Sequence, residues 1–124
     1  MIIRDEQSKV FSAWMAAVFK DRVLNHLCQQ FPRQVDSLGE DQVRTRIREG
    51  MGRASGYGIV SEQGVCFFID LAFIFGADFD HQLSWAVKVL DVEHIHESDR
   101  LLRLRLEANL HLDEAVALPQ GVEA

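Results

Sequence analysis

The stretch CFFIDLAFIFGADFD, residues 66–80, sets three carboxylates, Asp70, Asp78 and Asp80, in and beside the most apolar part of the chain. Ten of the eleven residues from Val65 to Phe75 are apolar, and Asp70 is the exception. An unpaired buried charge costs several kcal/mol or stays protonated, so Asp70 either performs chemistry or has a partner. Paired-carboxylate hydrolysis would couple Asp70 with Asp78 or Asp80. On a helix, Asp70 stands about 12 Å from that loop at 1.5 Å per residue. Glycosidase carboxylates are usually closer. Asp70 therefore reads as a structural acid, hydrogen-bonded or paired with a buried arginine or a helix end near Gly52–Tyr57. Asp78 and Asp80 read as turn and cap residues for the helix that follows.

The other reactive side chains assemble into no site. Of the five histidines, His94 and His96 are two apart in EHIHE, a spacing that divides them between faces of a helix. Asp78, Asp80 and His81 could converge with them, yet no HExxH or zinc-ligand spacing is present, and solvated loop histidines are the reading. The DxD at 78–80 lacks the glycine and closing glutamate of a calcium loop. Cys28 and Cys66 sit in apolar patterns and read as free buried thiols. Cys66 opens the apolar segment, where a thiol loses reactivity. The run GMGRASGYG, residues 50–58, follows a helix and lacks both GxGxxG and GK[ST], so it is no phosphate loop. Its glycines suit close helix packing at Gly52 and Gly56 and a helix stop at Gly58. No GxSxG elbow occurs. No catalytic, cofactor-binding or metal-ligating residue is assigned, and the chain reads as non-enzymatic.

Composition narrows the partners. The 124 residues suffice for one domain, and the net charge of −6, from 19 acids and 13 bases, argues against a nucleic-acid surface. Arg44, Arg46, Arg48 and Arg53 are interleaved with Glu40, Asp41 and Glu49 and read as a solvated helix face. No secretory leader pattern opens the sequence, and an eleven-residue apolar run is too short to cross a bilayer. A cytoplasmic protein without membrane contact is the expectation.

The elements that must carry these residues are helical. Val10 or Phe11, Trp14, Met15, Val18, Leu24, Leu27 and Phe31 follow three-four spacing, giving a long helix that Pro32 ends. Ser37 and Glu40 have capping-box spacing ahead of a second helix striped by Val43, Ile47, Met51 and Ala54. A third helix starts at Ser61 as N-cap and ends at Gly76. Apolar on all sides, it belongs at the centre of a bundle. Asp80 or Ser84 could cap a short fourth helix bearing Trp85, Val89 and Leu90. In the last segment Leu102, Leu104 and Leu106 alternate as on a strand, but Leu101, Leu104, Ala108 and Leu112 form a helical stripe. Opposite charges at Asp99–Arg103 and Arg103–Glu107 also favour helix. The expected fold is all-α: a compact bundle of about five helices around the central apolar helix, 61–76. It is a single domain over 1–116 with a frayed tail at 117–124.

Taken in order, MIIRDEQ, IREGMGRASGYGI at 47–59, VCFFIDLAFIFGADFD at 65–80 and WAVKVL at 85–90 are similar to a group of small bacterial proteins. Their genes lie near type VI secretion spike, adaptor and effector genes of Gram-negative bacteria. The resemblance spans about three quarters of the chain and leaves out the final helix. It implies a non-enzymatic accessory role in effector delivery, as a co-chaperone or adaptor partner that helps load an effector. The implied partner is a type VI adaptor, spike protein or effector, with no cofactor. Tyr57, Asp78, Phe79, Asp80 and Trp85 are the candidate partner-binding residues. The alternative is an immunity protein whose acidic surface neutralises a neighbouring basic toxin.

Overall fold

The computed structural model describes residues 5–117, and the side chains of residues 15–112. Those residues form seven helices, and among them there is no strand. In order these are α1 (Asp5–Gln30), α2 (Pro32–Leu38), α3 (Glu40–Gly56), α4 (Glu62–Phe75), α5 (Phe79–Gln82), α6 (Ser84–Leu90) and α7 (Glu97–Ala117). Contacts divide the chain into two units, residues 1–48 and 49–124, with the boundary inside α3. The expected tail lies mostly outside the described residues.

In the first unit, α1 buries Phe19, Val23 and Leu27, while Val18 and Leu24 are half-covered. Leu27 is buried as expected, but its companions in the buried stripe are Phe19 and Val23, at four-residue steps, rather than Val18 and Leu24. Pro32 ends α1, as its missing N–H and ring require, but it also opens α2 at its first turn. Ser37 consequently lies inside α2, and Gly39, at φ 85°, separates it from α3. The capping box expected of Ser37 and Glu40 does not form. Glu40 instead accepts from Arg44 at 2.9 Å, and Arg44 also reaches Asp21 on α1 at 3.2 Å.

In the second unit, the C-terminal half of α3 ends in paired backbone hydrogen bonds. The Ile59 amide donates to the Ala54 carbonyl at 2.8 Å and the Gly58 amide to the Ser55 carbonyl at 3.0 Å. Gly58 takes φ 79° between them, the left-handed geometry of a Schellman stop, and Ile59 seals it as a buried side chain. The closely packed glycine of this helix is Gly50, where an added Cβ would lie 2.7 Å from Ile69 Cγ1. Gly52 and Gly56 have nothing within 4 Å, contrary to the expectation for them.

α4 packs on α5 and α7, and α6 packs on α5 and α7. Val65, Phe68, Ile69, Leu71 and Phe73 of α4 are buried, but Cys66, Phe67, Asp70, Ala72, Ile74 and Phe75 are only half-covered. The helix is therefore not enclosed on all sides, and Arg105 of α7 lies over the Phe67 ring, 5.1 Å from its centroid.

The first turn of α7 holds two other helices by their ends. Glu97 accepts from the amides of Val60 and Ser61, at 3.2 and 3.1 Å, and from the Ser61 hydroxyl. The same hydroxyl oxygen accepts from the Gly64 amide at 3.0 Å, the N-cap expected of Ser61. Arg100, buried, donates to the carbonyls of Val89, Leu90 and Val92 at 3.0, 2.7 and 2.7 Å, closing the end of α6. An anion at one helix start and a cation at another helix end both match the helix dipole.

Gly64 makes the first of these contacts possible. A Cβ there would stand 2.7 Å from Glu97 Oε2 and 2.8 Å from Ser61 Oγ. Gly64→Ala should lose about 1–3 kcal/mol in urea unfolding. Partial desolvation acts to raise the Glu97 pKa, but the hydrogen bonds from Ser61 and the two amides outweigh it, leaving the carboxyl below its ordinary range. Its contribution to stability is therefore complete above about pH 5 and is lost as pH falls through the depressed folded-state value. Glu97→Gln should flatten that acid limb in unfolding curves taken from pH 7 to pH 3, and an unchanged limb would exclude this role.

Candidate functional site

Asp80 is the buried, arginine-paired acid of this fold, with 1% of its side chain exposed. Asp70, expected in that position, is only half-buried. Arg53, on the last turn of α3, donates through Nη1 to Asp80 Oδ1 at 3.2 Å and to the Ala77 carbonyl at 2.6 Å. Its Nη2 reaches Asp78 Oδ1 at 2.9 Å. Tyr57, one helical turn after Arg53, donates its hydroxyl to the second Asp80 oxygen at 2.8 Å. His81 stands at the rim, its Nδ1 3.5 Å from Asp80 Oδ2 and its Nε2 3.9 Å from Asp78 Oδ1.

Local sequence explains how the two segments meet. Gly76 ends α4 at φ 116°, and its carbonyl accepts from the Phe79 amide at 3.1 Å, so the chain reverses at once. Asp78 occupies the N-cap position of α5 but makes no side-chain cap, and α6 starts behind Leu83, also without one. Neither Asp78, Asp80 nor Ser84 caps a helix as expected, because the two carboxylates are turned towards Arg53. Phe79 is buried against Phe68, ring centroids 5.0 Å apart, and Phe68 lies 5.9 Å from Tyr57. Trp85 is buried too, edge-on to Phe75 at 5.2 Å and stacked on His111 at 5.2 Å with 8° between the planes.

These positions decide what the cluster can do. Burial pushes the Tyr57 hydroxyl up, and its bond to the Asp80 carboxylate adds to this, taking its pKa to about 12. Such a phenol keeps its proton at neutral pH and gives it to Asp80. Asp80 spends both oxygens on Tyr57 and Arg53, and the bond to Asp78 leads the effects that hold the Arg53 guanidinium even more firmly protonated. The arrangement is a hydrogen-bonded knot, two carboxylates held by one guanidinium and a phenol, rather than a base awaiting a substrate.

Of the five residues assigned to partner binding, the structure brings Tyr57, Asp78, Phe79 and Asp80 together. Phe79, Asp80 and Trp85 are buried, so they offer little to an approaching surface. Tyr57 and Asp78 are half-covered. Arg53, read from sequence as part of a solvated face, is the organising member. Its signal was the four-residue step to Tyr57, which puts both side chains on one side of the end of α3. Arg100 and Glu97 were missed as well; each stands in the first turn of a helix, where charge is usually solvated.

The remaining reactive groups stay apart from the knot. His94 and His96 are exposed, and His94 has φ 60°. Both cysteines are free; Cys28 is exposed rather than buried. Desolvation, followed by the nearby charge of Asp70, raises the Cys66 thiol and leaves it a poor nucleophile at neutral pH.

Tyr57 is the chain's only tyrosine, so absorbance at 295 nm follows it alone. Its titration should be centred near pH 12, and Asp80→Asn should bring it back towards the ordinary value near 10. Because the folded-state pKa is raised, the associated stability is complete below about pH 10 and lost as pH rises through the folded value. Asp80→Ala, which leaves the Tyr57 hydroxyl without its acceptor and Arg53 with only Asp78 and the Ala77 carbonyl, should cost about 2–3 kcal/mol. Tyr57→Phe should cost about 1–2 kcal/mol, and equal costs for the two would mean that the ion pair adds nothing.

Compared with known proteins, the chain matches no family model, and no curated sequence or solved structure is significantly similar to it.

Proposed function

We propose that this chain is a non-enzymatic protein-binding accessory factor, acting as a co-chaperone or adaptor partner in the loading of type VI secretion effectors. The observation that carries the binding role is the outer face of α7. Leu102, Leu106 and Leu110 are 57%, 56% and 71% exposed, an apolar line at four-residue steps on a helix whose other face is already packed. Buried polar side-chain atoms among the described residues all have hydrogen-bond partners, so the interior chemistry is directed inward. The Arg53–Asp80 knot fastens the end of α3 to the turn at 77–80. The secretion setting rests on the ordered resemblance of MIIRDEQ, the 47–59 segment, the 65–80 segment and WAVKVL. The excess of 19 acids over 13 bases favours a second reading, an immunity protein that covers a basic toxin.

Affinity capture of the tagged chain from its native host separates the two. The effector-loading role predicts recovery of an adaptor, spike protein or effector, together with loss of effector secretion and no self-intoxication when the gene is deleted. Recovery of a toxin whose activity the chain blocks, with self-intoxication on deletion, would replace it by the immunity role.

A further inference from the structure

The leucine line on α7 borders a groove of about 240 Å³ between α6 and α7, lined by Lys88, Val89, Arg103, Leu106 and Glu107. Two features of this groove bear on its occupant. Leu106 gives it an exposed apolar wall continuous with Leu102 and Leu110, a line about 12 Å long at 1.5 Å rise per residue. Lys88 and Arg103, both exposed, make no ion pair or hydrogen bond with any described residue. The i,i+4 pairing expected of Arg103 with Asp99 and Glu107 is absent, and Glu107 instead lies 3.8 Å from His111. Arg105, by contrast, is committed to Phe67 on the other side of α7.

An apolar wall flanked by uncommitted cations, on a chain of net charge −6, is a local reversal of the protein's own electrostatics. We propose that the α6–α7 groove docks an acidic amphipathic helix of the partner protein. The partner's apolar residues, spaced at three to four, lie along Leu102, Leu106 and Leu110, and its carboxylates meet Lys88 and Arg103. A second copy of this chain fits less well. Two such faces would bring both sets of Lys88 and Arg103 to one leucine seam, with Glu107 the only acid lining the groove. This inference rests on the protein-binding reading above and names its surface.

A matched pair of fluorescein-labelled 20-residue helical peptides tests it. Both carry leucines at four-residue steps; one has glutamates flanking them and the other lysines. By fluorescence anisotropy at low salt, the glutamate peptide should bind at least about tenfold more tightly, and the preference should shrink as salt is added. Lys88→Glu with Arg103→Glu should reverse the preference, and Leu106→Asp should weaken both peptides at least about tenfold. Circular dichroism checks that each variant stays folded. Absence of binding, equal binding of the two peptides, or a preference that survives the double charge reversal would overturn the proposal. So would a dimer in light scattering that Leu106→Asp converts to monomer, since a second copy would then be the occupant. Capture from the host distinguishes the two levels. If the Leu106→Asp chain recovers the same partner as the wild type, the docking face is wrong and the accessory role stands. If the wild type recovers none while the glutamate peptide binds, the accessory role fails and the face stands.

Discussion

A carboxylate taken out of water must be given back its hydrogen bonds and a counter-charge, and Asp80 imposes that requirement on the second unit. Removing such a group from solvent costs several kcal/mol, which only good geometry on both oxygens offsets. Arg53 and Tyr57 supply that geometry from the end of α3. The sharp stop at Gly76 and the short α5 deliver Asp80 to them. Phe79, carried in beside it, then packs on Phe68 and extends the aromatic contact to Tyr57. Polar pairing and aromatic packing are thus two sides of one joint.

Whatever depended on near neighbours was legible in the sequence. The apolar stripe of α3, the Leu104–Ala108 part of that of α7 (Leu112 is exposed), the N-cap at Ser61 and the glycine stops at Gly58 and Gly76 are local, because each is decided within one or two helical turns. What involved residues 23 to 27 apart was not, as with Arg53, Tyr57 and Asp80. The spacing of charges on one helix cannot show which of them will be recruited by a distant turn. Pro32 illustrates a different failure: the residue that forbids one helix is well suited to begin the next. The alternation of Leu102, Leu104 and Leu106, which imitates a strand, records two apolar faces on one helix. Leu104 is fully buried while its two neighbours stand outside.

That double-faced helix also separates structural from exposed function. The inner line of α7, with Leu104, Ala108 and the Trp85–His111 stack, is used for packing. Its first turn spends Glu97 and Arg100 on the ends of α4 and α6, where helix dipoles favour those signs. The outer line spends nothing within the described chain. Internal charges are paired, whereas the exposed Lys88 and Arg103 are left to solvent, where lacking a partner costs the fold little.

The brevity of α5 makes its helical form conditional on what surrounds it. Four residues cannot sustain a helix alone, since nucleation is unfavourable and no propagation follows to repay it. The segment takes its order from its neighbours: Phe79 packs on Phe68, and Asp78 and Asp80 are held by Arg53 and Tyr57. The polar partners stand more than twenty residues back in the chain, so the helical form of α5 rests on non-local contacts and not on its own length. The turn at 76–82 is thus a borrowed helix, whose order is lent to it by the rest of the second unit.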